Sequence, residues 1–205
     1  MTEPALLAID TSGPRLQLAL LQSEKEYVHL EEMTRGHAEV LFDRIGDLLA
    51  EASLDYADLS AIAVTTGPGS FTGLRIGLST ARGLGLGLGI PVIGLPTLFA
   101  TALPFLHAGP VAIIANARRG EVYFELFDET GRSATGPLVL PEAEIAGRVP
   151  DSATRISHMT PNIAAMARFA GSADPADWPP EPVYVRPPDA KPQDKARLAR
   201  AGDQA

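Results

Sequence analysis

Hydrophobic and polar positions divide the chain into runs of two different periods. Leu6 to Ile9 is a continuous apolar run ending in Asp10-Thr11-Ser12-Gly13-Pro14, the signature of a buried strand followed by a polar turn. Leu16, Leu18 and Leu20 then alternate with Arg15, Gln17 and Ala19, and Tyr27 to Met33 offers a third strand after the charged turn Ser23-Glu24-Lys25-Glu26. These three predict an antiparallel meander. From Ala38 to Leu54 the period becomes helical, with Leu41, Ile45, Leu48, Leu49 and Ala52 on one face. The opposite edge carries Glu39, Asp43, Asp47 and Glu51, a stripe suited to water or to a basic partner.

A second strand-and-helix unit follows. Ala61 to Val64 predicts a buried strand that runs into Thr65-Thr66-Gly67-Pro68-Gly69-Ser70-Phe71-Thr72-Gly73, with a helix starting near Thr72. Pro91 to Leu95 predicts another strand, and Pro96 opens a short helix to Leu103. Val111 to Ala115 and Val122 to Phe127 pair around Asn116-Ala117-Arg118-Arg119-Gly120. Two short helices are expected at Glu142–Arg148 and Asn162–Ala170, with a strand over Arg155–Met159 between them. Beyond Gly171, Pro179-Pro180, Pro182 and Pro187-Pro188 rule out regular helix, leaving an extended tail in which Val183-Tyr184-Val185 can dock as a strand. The expected division is a first lobe over 1–105, a second over 106–173 and a proline-rich tail over 174–205, with the docking strand at 183–186.

Bulk properties narrow the function. With 45% hydrophobic and 20% charged residues the chain has the composition of a folded protein, and its net charge of -8 argues against direct hold on nucleic acid. It has no cysteine, hence no disulfide framework and no thiol nucleophile. The N-terminal residues carry no basic stretch ahead of an apolar run, and the apolar segment Gly83–Leu95 is broken by Gly85, Gly87, Gly89 and Pro91. A soluble cytoplasmic protein with no membrane contact is the expectation.

The glycine loop is not one of the common phosphate loops. Gly73 is followed by Leu74 and Arg75 where a Walker loop needs Lys and Ser or Thr, and Gly69 and Gly73 enclose three residues where a dinucleotide fingerprint needs two. Its amides could still face an anion, with Ser70 and Thr72 as candidate helix caps, or the glycines could only permit a turn. Behind it, Gly73, Gly77, Ala81, Gly85 and Gly89 recur every fourth residue, with Gly83 and Gly87 besides. Each glycine costs a helix roughly 1 kcal/mol against alanine, so a close neighbour must offset them, either the sheet beneath or a partner subunit.

No catalytic constellation emerges. His29, His37, His107 and His158 lack zinc-site spacing, and Lys25, Lys191 and Lys195 leave the central chain without a lysine clamp. His37, at the head of the first helix, reads as a surface or interface residue. Asp10 is the one acid placed to face a cleft, and Ser12 and Ser70 have no His and acid in a nucleophile setting.

Ala8-Ile9-Asp10-Thr11-Ser12, His37-Ala38-Glu39, Gly67 to Arg75 and Ala117-Arg118-Arg119-Gly120-Glu121-Val122-Tyr123 together resemble the TsaB (YeaZ) family over roughly the first 125 residues. Val183-Tyr184-Val185-Arg186 resembles the family's C-terminal strand. The resemblance implies an α/β, actin-like ASKHA (ribonuclease H-like) fold of two related lobes, the C-terminal one reduced. It also implies a non-catalytic subunit that supports the TsaD paralogue and works with the ATPase TsaE. That assembly forms threonylcarbamoyladenosine (t6A) at position 37 of tRNAs reading codons beginning with A. By that resemblance ATP and a metal belong to the complex, none is bound tightly by this chain, and tRNA is met only indirectly. A vestigial phosphate-facing set would comprise Asp10, Ser12, Gly67, Gly69, Ser70 and Thr72. The partner interface, shared with a candidate homodimer, would comprise His37, Leu41, Ile45, Arg75, Gly77, Leu78, Ala81 and Arg82. Asn116 stands where related sequences carry Asp. The rival reading is an enzyme of the same fold acting alone, a small kinase or a metallopeptidase.

Overall fold

Strict alternation of apolar residues on both sides of a strand requires cover on both faces, and the first sheet has it. A computed structural model describes residues 4–185. Strands β1 (Ala5–Asp10), β2 (Arg15–Gln22) and β3 (Lys25–Glu32) form the expected antiparallel meander. Strands β4 (Leu59–Gly67) and β5 (Val92–Pro96) lie parallel to β1, giving the order β3-β2-β1-β4-β5. The parallel steps are made by helices α1 (His37–Glu51) and α2 (Phe71–Leu88).

A second sheet contains β6 (Val111–Arg118), β7 (Glu121–Phe127), β8 (Leu138–Pro141) and β9 (Thr154–Ile156) in the order β8-β7-β6-β9. β6 pairs antiparallel with β7 and parallel with β9, as β1 does with β2 and β4. The second sheet therefore repeats the first without its fifth strand, which is the reduced ribonuclease H-like lobe the resemblance implies. The connection from β8 to β9 is reduced as well: a 3-10 turn at Glu142–Ile145 stands where a helix to Arg148 is expected. Gly147, with φ +81, and Pro150 leave no room there for a longer helix. β8 has only three apolar residues before Pro141, too few to signal a strand.

The layers follow from side-chain parity. Ala5, Leu7 and Ile9 of β1, with Leu16, Leu18 and Leu20 of β2, face α1 and α2. Leu6 and Ala8 face the other way, into a core shared with Val111, Ile113 and Ala115 of the second sheet. Between the sheets lie α3 (Thr97–Ala102) and α4 (Ile163–Ser172), through Leu98, Phe99, Ile163 and Met166. The side chain of Asn162 caps α4 by accepting from the Ala165 amide at 2.9 Å. α4, though it follows the second sheet, packs on β1 and β2 of the first.

The tail is extended, as its prolines require, and crosses the end of the first sheet. Trp178 stacks on Phe99 with ring centroids 5.0 Å apart, and its carbonyl accepts from the Gly94 amide at 2.8 Å. At the expected docking strand, the Val183 amide donates to the Thr66 carbonyl at 2.8 Å, but no strand forms over 183–185, and Arg186 lies outside the described residues.

Candidate functional site

Two regions carry the residues singled out in the sequence: the ends of β1 and β4 where they meet the second lobe, and the helix layer α1–α2. At the first, Asp10 ends β1 almost fully buried. Its Oδ1 accepts from the Ser12 amide at 2.9 Å and the Thr65 hydroxyl at 2.8 Å, and its Oδ2 accepts from Gln17 Nε2 at 2.8 Å. Gln17 Nε2 also donates to the Pro161 carbonyl at 3.2 Å. A carboxylate holding three donors this way ties β1, β2, β4 and the approach to α4 together. Asp10 is thus turned into the fold and does not line the cleft, with three of its roughly four acceptor sites taken by the chain's own donors.

The glycine loop is similarly occupied. The Gly67 amide donates to Thr97 Oγ1 at 3.2 Å and the Ser70 amide to the Ser12 carbonyl at 2.7 Å. Ser70 is the helix cap, its hydroxyl accepting from the Gly73 amide at 3.3 Å. Thr72 is exposed within the first turn of α2 and caps nothing. Gly67 (φ +112) has no side chain because the Val183 carbonyl lies 2.6 Å from where a Cβ would stand. Of the six residues in the phosphate-facing set, Ser12, Gly69 and Ser70 line the cleft between the lobes, while Asp10, Gly67 and Thr72 do not. The cleft has a volume of about 680 Å³, and Asn116, Arg118 and His158 complete its wall from the other lobe.

The helix layer overturns most of the expected interface. A Cβ at Gly73 would lie 2.0 Å from the Thr11 carbonyl, one at Gly77 2.5 Å from Thr11 Oγ1, and one at Gly85 2.4 Å from Val92 Cγ2. The Thr11 hydroxyl in turn donates to the Gly73 carbonyl at 2.8 Å. The small-residue ridge therefore serves the sheet beneath it. Gly77, Leu78 and Ala81 are buried with it, as are Leu41 and Ile45 of α1, and none of the five can be a docking surface of the folded chain. His37 is buried too, its Nε2 3.2 Å from the Arg15 carbonyl. Of the eight expected interface residues only Arg75 and Arg82 are exposed.

The outward face of the same layer was missed. Phe42 on α1 is 53% exposed and Leu86 on α2 is 87% exposed. On α2, Arg75, Ser79, Arg82 and Leu86 follow one another at helical spacing on the solvent side, with Gly83 and Gly87 beside them. Among the described residues, a Cβ at Gly46, Gly83 or Gly87 would meet nothing within 4 Å. The signal lay in the phase of Leu86, which falls off the Leu74–Leu78–Ala81 stripe. Glu39, Asp43, Asp47 and Glu51 of α1 are all exposed, and of the four Asp47 meets Arg44, at 3.5 Å. At the head of α2, the Arg75 guanidinium sits 3.8 Å over the Phe71 ring, which faces Tyr184 at 5.9 Å.

No group of three or more His, Cys, Asp or Glu side chains is arranged to hold a metal among the described residues. No described helix is long and apolar enough to cross a membrane. Glu125 on β7 is buried, accepts from the Ser133 hydroxyl at 2.7 Å, and has its carboxyl pushed up by burial, but it does not line the cleft.

Comparison with known proteins places these features. Residues 21–174 match the family described as TsaD: tRNA N6-adenosine threonylcarbamoyltransferase. An uncharacterized protein of Mycobacterium tuberculosis is 34% identical over 201 residues, covering 91% of this chain and 94% of that protein. The tRNA threonylcarbamoyladenosine biosynthesis protein TsaB of Escherichia coli is 37% identical over 131 residues, which are 62% of this chain and 57% of TsaB. A Pseudomonas aeruginosa protein described as similar to the peptidase YeaZ superposes with a TM-score of 0.72 at 29% identity, over 89% of this chain and all of that one.

Proposed function

The chain belongs to the TsaB/YeaZ family, and we propose that it acts in tRNA threonylcarbamoyladenosine biosynthesis as a non-catalytic subunit docking its TsaD paralogue through the outward face of α1 and α2. One observation carries this reading: that face combines the exposed Phe42 and Leu86 with Gly46, Gly83 and Gly87, against which none of the described residues packs. Each exposed helical glycine forfeits roughly 1 kcal/mol that alanine would supply. Close approach of a partner's helices would put that smoothness to use. Charge divides across the layer, acids on α1 and Arg75 and Arg82 on α2, so a partner needs both signs in a fixed orientation.

The rival reading of a lone kinase has less behind it. The acid such a kinase would use, Asp10, holds three intramolecular donors. With a net charge of -8 the chain would meet tRNA through its partner. The TsaE ATPase would join the pair and supply its ATP chemistry, and a homodimer through the same face would be the resting form in the cytoplasm.

The test is co-purification with the TsaD paralogue. Gly83→Trp and Leu86→Asp should each weaken association about tenfold or more while leaving the far-ultraviolet circular dichroism unchanged. Association that survives both substitutions excludes this face. Depletion of the protein should remove t6A from tRNA hydrolysates, and normal levels would refute the pathway assignment.

A further inference from the structure

At the head of α2 the outward helix face runs into a patch that the two helices do not make by themselves. Phe71 is 55% exposed and stands one turn before Arg75, so it opens the stripe that continues through Ser79, Arg82 and Leu86. Tyr184 of the C-terminal segment, itself 49% exposed, lies against the Phe71 ring with centroids 5.9 Å apart. The Arg75 guanidinium covers the same ring at 3.8 Å, and among the described residues no carboxylate pairs with it. One exposed ring calls for no explanation, whereas two in contact beside an unpaired arginine have the composition that interface hot spots favour.

The segment that carries Tyr184 is fixed by the first sheet. Trp178 sits between Phe99 and Phe169, with ring centroids 5.0 and 5.2 Å away. Beyond it the backbone passes so close to β4 and β5 that Gly67 and Gly94 have no room for a side chain. A Cβ would lie 2.6 Å from the Val183 carbonyl oxygen at Gly67 and 2.4 Å from that of Pro179 at Gly94. The Val183 amide, donating to the Thr66 carbonyl at 2.8 Å, then sets the next residue, Tyr184, over the start of α2.

We infer that, given docking through α1 and α2 as proposed above, Phe71, Arg75 and Tyr184 form an aromatic end to that interface, so that the C-terminal segment is part of the docking surface. Continuity identifies the occupant as the TsaD paralogue, because the patch shares Arg75 with the helix face. The stripe from Phe71 to Leu86 spans about 22 Å at roughly 1.5 Å per residue. An interface of ordinary size, about 800 Å² on each partner, is about 28 Å across and covers both ends of it. The paralogue meets the rings with an apolar surface and Arg75 with a carboxylate. Covering the patch excludes the water that weakens a cation over a ring, and the carboxylate takes the guanidinium's free edge.

Association of the whole chain with the paralogue, followed by surface plasmon resonance, tests this in Tyr184→Ala, Tyr184→Phe and Arg75→Ala beside Leu86→Asp. Tyr184→Ala should weaken association about fivefold or more with an unchanged urea midpoint, and Tyr184→Phe, which keeps the ring, should bind within about twofold of the parent. Arg75→Ala should make association less sensitive to salt, since it removes one partner of a charge pair. If Leu86→Asp weakens association and Tyr184→Ala does not, this inference is overturned and docking through the helices stands. If neither substitution has an effect, both fall. A loss in Tyr184→Ala that comes with a lowered urea midpoint, or that Tyr184→Phe shares in full, also overturns it, because the ring would then not be what the partner meets.

Discussion

The two faces of α2 carry the same residue type for opposite reasons. On the inner face Gly73, Gly77 and Gly85 exist because Thr11 and Val92 already fill the space a side chain would need. On the outer face Gly83 and Gly87 look onto open space, beside a leucine that is 87% exposed. Glycine content alone therefore does not say whether a neighbour packs against the helix. The face decides it, and only the inner glycines are tied to the chain's own packing.

That contrast can be broken most severely from the inside. Gly73→Val drives a side chain into the Thr11 backbone and should cost about 3 kcal/mol or more, read as a lowered urea midpoint. From the outside, Gly83→Trp should weaken association with the paralogue by about tenfold or more, with chain stability changed by no more than about 0.5 kcal/mol. Gly83→Ala sharpens the comparison further. It should stabilise the isolated chain by about 0.5–1 kcal/mol, whereas Gly77→Ala, 2.5 Å from Thr11 Oγ1, should destabilise it in the same denaturation assay. The smallest effect is expected for Arg75→Ala, which removes the cation from over Phe71 and should cost about 0.5 kcal/mol in thermal unfolding.

The same contrast explains what could be read in advance. The meander, α1 and the parallel strands were legible because Leu16, Leu18 and Leu20, or Leu41, Ile45 and Leu48, repeat at the period their backbone imposes. A spacing of four likewise marks Gly73, Gly77 and Ala81 as one ridge. It cannot say that the ridge faces inward, because a helix's period is defined only relative to itself. Asp10 was legible as the acid ending a strand, but Gln17 and Thr65, which occupy it, come from two other strands. β8 escaped notice for want of length, and the helix expected over Glu142–Arg148 stops as a turn at Ile145, short of Gly147 and Pro150.

Local pattern thus determined most of the elements, the α/β class and the extended tail, since each depends on residues a few positions apart. Only the folded chain decided that the small-residue ridge lies on its own sheet, that Asp10 is a tie rather than a ligand, and that Arg118 and Ser12 share one cleft. Those outcomes join residues that are distant along the chain. Burial and hydrogen bonding between such residues exist only after the layers have closed.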